Sequence, residues 1–219
     1  MTMVLSLTAL AQDSKQVSFS ATITGQVLDA TGRIVPNAKV RARLTRHLPG
    51  RIPSAQTDTE GNFSIIVRTP GTYRLYAGQE ELFYPIADSP FYDVDHIAPP
   101  EMTVDDKEVI NAGTVLLNSQ GAKLTLRIID AETDEPIKEA GIGFRRDDNT
   151  DGNLGTGIGQ ESAGKLTVLV PSRPIRIEVQ AAGYKDFYYG GDGTIKQAFP
   201  VYLRTGTTEE LEIRLRRRK

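Results

Sequence analysis

Residues 23–44 read ITGQVLDATGRIVPNAKVRARL, and residues 124–145 read LTLRIIDAETDEPIKEAGIGFR. Laid one under the other, Val27 and Asp29 meet Ile128 and Asp130, Pro36 meets Pro136, and Ala38-Lys-Val40 meets Ala140-Gly-Ile142. In both stretches apolar side chains fall on alternate positions, the period of a strand with one buried face. The match extends outward: GNFSIIV from Gly61 has its counterpart in GKLTVLV from Gly164, and PGTYRLYA from Pro70 in SRPIRIEVQAAGY from Ser172. DDKEVINAGTVLL (105–117) and TTEELEIRLR (207–216) end the two copies. A repeat on this scale means one structural plan used twice.

The plan is an antiparallel one. Val17, Phe19, Ala21, Ile23 and Val27 alternate with polar residues, as do Val40, Ala42 and Leu44, then Phe63, Ile65 and Val67, then Tyr73, Leu75 and Ala77. Turn signals separate them at Asp29-Ala-Thr-Gly32, Asp58-Thr-Glu-Gly61 and Thr69-Pro-Gly71, where glycine supplies the backbone angles of a reversal. No stretch carries a long apolar stripe at helical period, so the expected class is all-β, with strands spaced as in a sandwich. The 219 residues divide into an expected leader remnant and linker (1–16) and two units, 17–118 and 119–219. Each unit is large enough to hold its own core. The link at Asn118-Ser-Gln-Gly121 is short enough for the units to abut.

GQVLDATGRIVPNAKV, followed by TDTEGNFSIIV and PGTYRLYA, resembles the carboxypeptidase regulatory-like domain, a transthyretin-like family. The second unit is similar more loosely: Glu-Ser-Ala precedes Gly164 where Asp-Thr-Glu precedes Gly61, and Leu166 replaces Phe63, while AAGY at 181–184 fits the family's small-Gly-Tyr motif. The resemblance implies two tandem seven-stranded Greek-key sandwiches of transthyretin-like type. It also implies a relation to starch-binding-like folds and an accessory role beside secreted or surface proteins. It implies no peptidase activity, because the family takes its name from a catalytic neighbour.

The inventory of reactive groups agrees with a non-enzymatic chain. There is no cysteine, hence no disulfide, thiolate site or cysteine nucleophile. The two histidines, His47 and His96, fall in different loops, and no H-E-x-x-H string is present. His96 follows Asp93 and Asp95, but no serine sits in a G-x-S-x-G elbow. The glycines at 152–159 precede neither a helix pattern nor a lysine-serine pair. With 26 Lys+Arg against 28 Asp+Glu, no global field favours nucleic acid. MTMVLSLTALA before Gln12 reads as the end of a secretory leader without its basic start, so export to the periplasm, cell envelope or beyond is expected; no other run is long enough to span a bilayer.

Three local features carry candidate sites. Asp147, Asn149 and Asp151 before Gly152 reproduce the first half of a calcium loop, although Ile158 stands where the bidentate glutamate belongs; a solvated acidic loop is the alternative to a structural calcium, and no other cofactor is expected. Tyr188, Tyr189 and Asp192 form a candidate carbohydrate platform. Packing is the competing account of the aromatics, with Tyr184 in the core and Phe83-Tyr84 and Phe91-Tyr92 at a sandwich edge or the seam between units. Leu215-Arg-Arg-Arg-Lys219 is a basic end, read as a solvated tail or a dock for an acidic surface. The function expected from all this is that of an exported scaffold binding a protein partner at the bacterial cell envelope, with carbohydrate binding as the alternative.

Overall fold

The computed structural model describes residues 19–46, 49–105, 109–148, 152–191 and 193–219. Fourteen strands and two single 3-10 turns make up the regular structure of the described residues. Seven strands belong to the first half: β1 (Ala21–Leu28), β2 (Lys39–Leu44), β3 (Ser54–Gln56), β4 (Asn62–Val67), β5 (Gly71–Gly78), β6 (Glu101–Val104) and β7 (Val109–Leu116). Seven more belong to the second: β8 (Ala122–Asp130), β9 (Ala140–Arg146), β10 (Asn153–Ile158), β11 (Lys165–Val170), β12 (Ile175–Gln180), β13 (Phe187–Tyr188) and β14 (Thr208–Leu215).

The two halves have one topology. Sheet orders β4-β1-β7 and β3-β2-β5-β6 face each other in the first sandwich, and β11-β8-β14 with β10-β9-β12-β13 repeat them in the second. In each, the first strand lies central, antiparallel to the fourth and parallel to the seventh. The last strand thus returns from the far end of the unit to close the Greek key. Alternation does what it promises in β4, where Phe63, Ile65 and Val67 are buried and Asn62, Ser64 and Ile66 are exposed. The buried side chains gather in two clusters. One draws on residues from Ala21 to Leu117, the other on residues from Ala122 to Leu215 together with Phe91.

The turns explain where the repeat holds and where it slips. The main chain of Val27 donates to the Gly61 carbonyl and that of Ile128 to Gly164, so the hairpin glycines correspond. Both are left-handed, φ 75° and 74°, and a Cβ at Gly164 would lie 2.8 Å from the Ile128 oxygen. In the first unit Asp58 shapes the turn by accepting from the amides of Glu60 and Asn62. In the second, which lacks that aspartate, a 3-10 turn at Gln160–Ser162 and a left-handed Ala163 do the same work. The pairing of Pro36 with Pro136 does not hold. Val35 donates to the Val27 carbonyl as Ile137 does to that of Ile128, so Pro136 takes the place of Ile34. The second turn holds an extra residue, which a proline-to-proline alignment conceals.

No helix among the described residues is long and apolar enough to cross a membrane.

Candidate functional site

One end of the first sandwich carries a cleft of about 830 Å³. Its walls come from the ends of β2, β4 and β5 and from the connection between β2 and β3, next to the free edges β3 and β4 of the two sheets. Ile52 and Ile66, both exposed, and the buried Tyr73 supply apolar surface. The Tyr73 hydroxyl is tied to the Thr69 carbonyl at 2.5 Å. Arg43, Arg46, Arg51 and Arg68 supply charge, and the lining contains no aspartate or glutamate. Arg43 and Arg46 donate only to the neutral carbonyls of Asp88 and Pro70, and no carboxylate partner is found for Arg51 or Arg68 among the described residues.

The same corner of the second sandwich is built differently. By strand register Ala42 corresponds to Phe144, Leu44 to Arg146 and Ile66 to Leu169. Three cations there are paired within the chain: Arg176 with Asp147 at 2.7 Å, and Arg146 and Arg173 with Asp148 at 2.8 and 3.4 Å. The corner is also covered. Phe91, fully buried, packs against the Phe144 ring at 6.4 Å, and the Tyr92 hydroxyl donates to the Leu169 carbonyl at 3.0 Å. Buried Arg146 donates to the carbonyls of Pro90 and Asp93, both at 2.9 Å. Burial pushes the Tyr92 hydroxyl up to about 12. Residues 90–94 of the first half therefore form a strap over the second.

The aromatic pair Phe91-Tyr92 thus sits at the seam. Phe83 joins it there, with its carbonyl accepting from the Gly121 amide at 2.7 Å and the Lys123 ammonium 5.4 Å above its ring. Tyr184 is half-buried, and its hydroxyl donates to Asp130 at 2.8 Å. Tyr189 packs with Phe187 against the second core, whereas Tyr188 is not part of that cluster. Tyr188 ends β13 and Tyr189 enters the turn that the Gly191 amide closes on the Tyr188 carbonyl; both tyrosines are half-buried. Asp192 lies outside the described residues, as do Asn149 and Asp151 of the calcium loop, His47, and the expected leader remnant and linker 1–16. Asp147, the remaining member of that loop, spends its carboxylate on Arg176. His96 is exposed, with Nδ1 3.6 Å from Asp93, while Asp95 accepts from Ser119. Two cations of the basic end pair within the chain, Arg217 with Asp130 and Arg218 with Asp186.

The cleft was missed in the sequence because its arginines are scattered rather than consecutive. A signal does exist: residues 30–57 contain no aspartate or glutamate but carry Arg33, Lys39, Arg41, Arg43, Arg46 and Arg51.

Residues 22–82 match the carboxypeptidase regulatory-like domain family. No curated protein matches the chain in sequence. Among solved structures, the shaft pilin SpaA of Lactobacillus rhamnosus GG is 10% identical, with 92% of this chain and 98% of that one covered at a TM-score of 0.33. The Bacillus anthracis TIE protein is 13% identical over 90% of this chain at 0.33, and this chain spans about a third (34%) of its length. A leucine-rich repeat protein from Bacteroides thetaiotaomicron is 11% identical over 91% of this chain and 27% of its own, at 0.35. Scores this low carry no function across. The motifs of residues 23–44, the hairpin glycine and the family match agree: residues 22–82 of the first sandwich match the carboxypeptidase regulatory-like domain.

Proposed function

We propose that this is a non-catalytic, exported accessory protein of the bacterial cell envelope. In this reading it is built as units 17–118 and 119–219 and binds a protein partner through the loops and edges of its sandwiches. The observation that carries the reading is the chemistry of the cleft. Guanidinium groups stay protonated at any physiological pH, so four of them set over aliphatic side chains hold a ligand and do not shuttle protons. Stacking on a sugar needs an exposed ring face, and the cleft's one aromatic, Tyr73, is buried with its hydroxyl engaged. Export is supported by the apolar run that ends at Ala11.

The test is site-specific photo-crosslinking of the full chain in envelope preparations. The crosslinker is placed in turn at Ile52 on the cleft rim and at Val109 and Tyr202 away from it, all three exposed. A discrete polypeptide captured at one or more of these positions, with silence on a glycan array, is the expected result. Saturable glycan binding that disappears in the Tyr188→Ala/Tyr189→Ala variant would replace this reading with a carbohydrate-binding one.

A further inference from the structure

The two sandwiches share one plan, yet the corner that is strapped in the second is open in the first. In the second, an aromatic side chain from outside the sandwich packs on Phe144, and the neighbouring tyrosine bonds the edge strand β11. Three cations of that corner are answered by Asp147 and Asp148. At the corresponding corner of the first, the smaller Ala42, itself fully buried, stands in place of Phe144, and half-buried Leu44 belongs to the cleft lining. Ile66 lies exposed on the edge strand β4, and Arg51 and Arg68 face no carboxylate among the described residues. A folded chain that neutralises its own arginines in one copy and leaves them open in the other has a site complementary to an outside anion.

We propose that this cleft docks a segment of the partner polypeptide carrying an aromatic side chain flanked by carboxylates, seated as residues 90–94 are seated on the second sandwich. The inference rests on the partner-binding reading above and names the chemistry of the partner. The aromatic ring fills the cleft beside Leu44, Ile52 and Ile66, and the carboxylates pair with Arg51 and Arg68. Main-chain groups of the segment lie along the free edge of β4, the mode in which extended peptides add to sheet edges. The protein's own strap cannot serve, because Phe91 is already fully buried against the second core.

The probe is a labelled peptide with the strap's sequence from Asp88 to Asp95, DSPFYDVD, titrated by fluorescence anisotropy into the full chain. Saturable binding is expected, about tenfold weaker when the peptide's phenylalanine is replaced by alanine or its aspartates by asparagine, and weaker as salt rises. Arg51→Glu/Arg68→Glu should abolish binding without lowering the melting temperature, since neither side chain has an ion-pair partner among the described residues. Lys138→Glu/Lys165→Glu, an equal charge change on the second unit, should leave binding unchanged. Absence of binding, equal binding by the Arg51/Arg68 variant, or tighter binding of polygalacturonate than of the peptide would each overturn the proposal. A polypeptide crosslinked only at Val109 or Tyr202 would sink the cleft while leaving the partner-binding function standing.

Discussion

Asp29 and Asp130 show how one residue type anchors both copies. Each stands at the end of a central strand and turns its carboxylate back onto the chain. Asp29 accepts from the amides of Thr31 and Arg33 and from the Thr31 hydroxyl. Asp130 accepts from the amides of Glu132 and Thr133, the Tyr184 hydroxyl and the Arg217 guanidinium. The Glu132 amide, and after it Arg217, hold the Asp130 carboxyl well below the usual carboxylate range. A carboxyl whose folded value is depressed contributes stability above the unfolded value, and that stability is lost as pH falls through the folded one. The second sandwich should therefore weaken below about pH 4. Asp130→Asn should melt several degrees lower at neutral pH, with a flatter acid limb, in thermal denaturation followed by circular dichroism. A variant with an unchanged acid limb would show that Asp130 is not the group titrating.

At the scale of elements, the strap does for the second sandwich what an extra core strand would do. Phe91 is fully buried and packs edge-on against Tyr92, their centroids 4.9 Å apart, while also meeting Phe144. Truncating a buried phenylalanine costs about 3–5 kcal/mol, from lost transfer energy and the cavity left behind. Phe91→Ala should therefore destabilise the second sandwich by that amount while leaving the first nearly untouched, although residue 91 belongs to the first half of the chain. Hydrogen exchange resolved by segment would read this out, with protection falling in β8, β9 and β12 and holding in β1 and β4. A loss centred on β1 would place the strap's packing elsewhere.

At the scale of the molecule, the seam joins the sandwiches through polar contacts as well as rings. Asp95 accepts from the amide and hydroxyl of Ser119, Gln120 donates to the Leu82 carbonyl, and Arg146 reaches Pro90 and Asp93. Arg146 is nearly buried, so its removal leaves two carbonyls without their donor, a cost of about 1–3 kcal/mol. In calorimetry the parent protein should unfold in one transition, and Arg146→Met should split it into two as the sandwiches uncouple. A single transition retained in the variant would mean that the rings of the strap alone couple the units.

Much of this was legible in the chain. Alternation at Ile23, Phe63 and Leu75 announced strands because a pleated strand sends neighbours to opposite faces, and the recurrence of Asp29, Gly61 and the closing strand announced two copies, since an aspartate or a glycine recurring at a strand end marks a recurring reversal. Local periodicity therefore determined the all-β class, the doubling and the turn anchors. The partner of each charge was not legible. Whether an arginine meets a carboxylate depends on loops brought together across strands, and Arg146 with Asp148 is local whereas Asp130 with Arg217 spans the second unit. Tertiary structure alone decided that Phe91 serves the neighbouring core, that Pro136 replaces Ile34, and that one corner is strapped while its twin stays open, because such contacts are set by the packing of separate sheets and leave no period in the sequence.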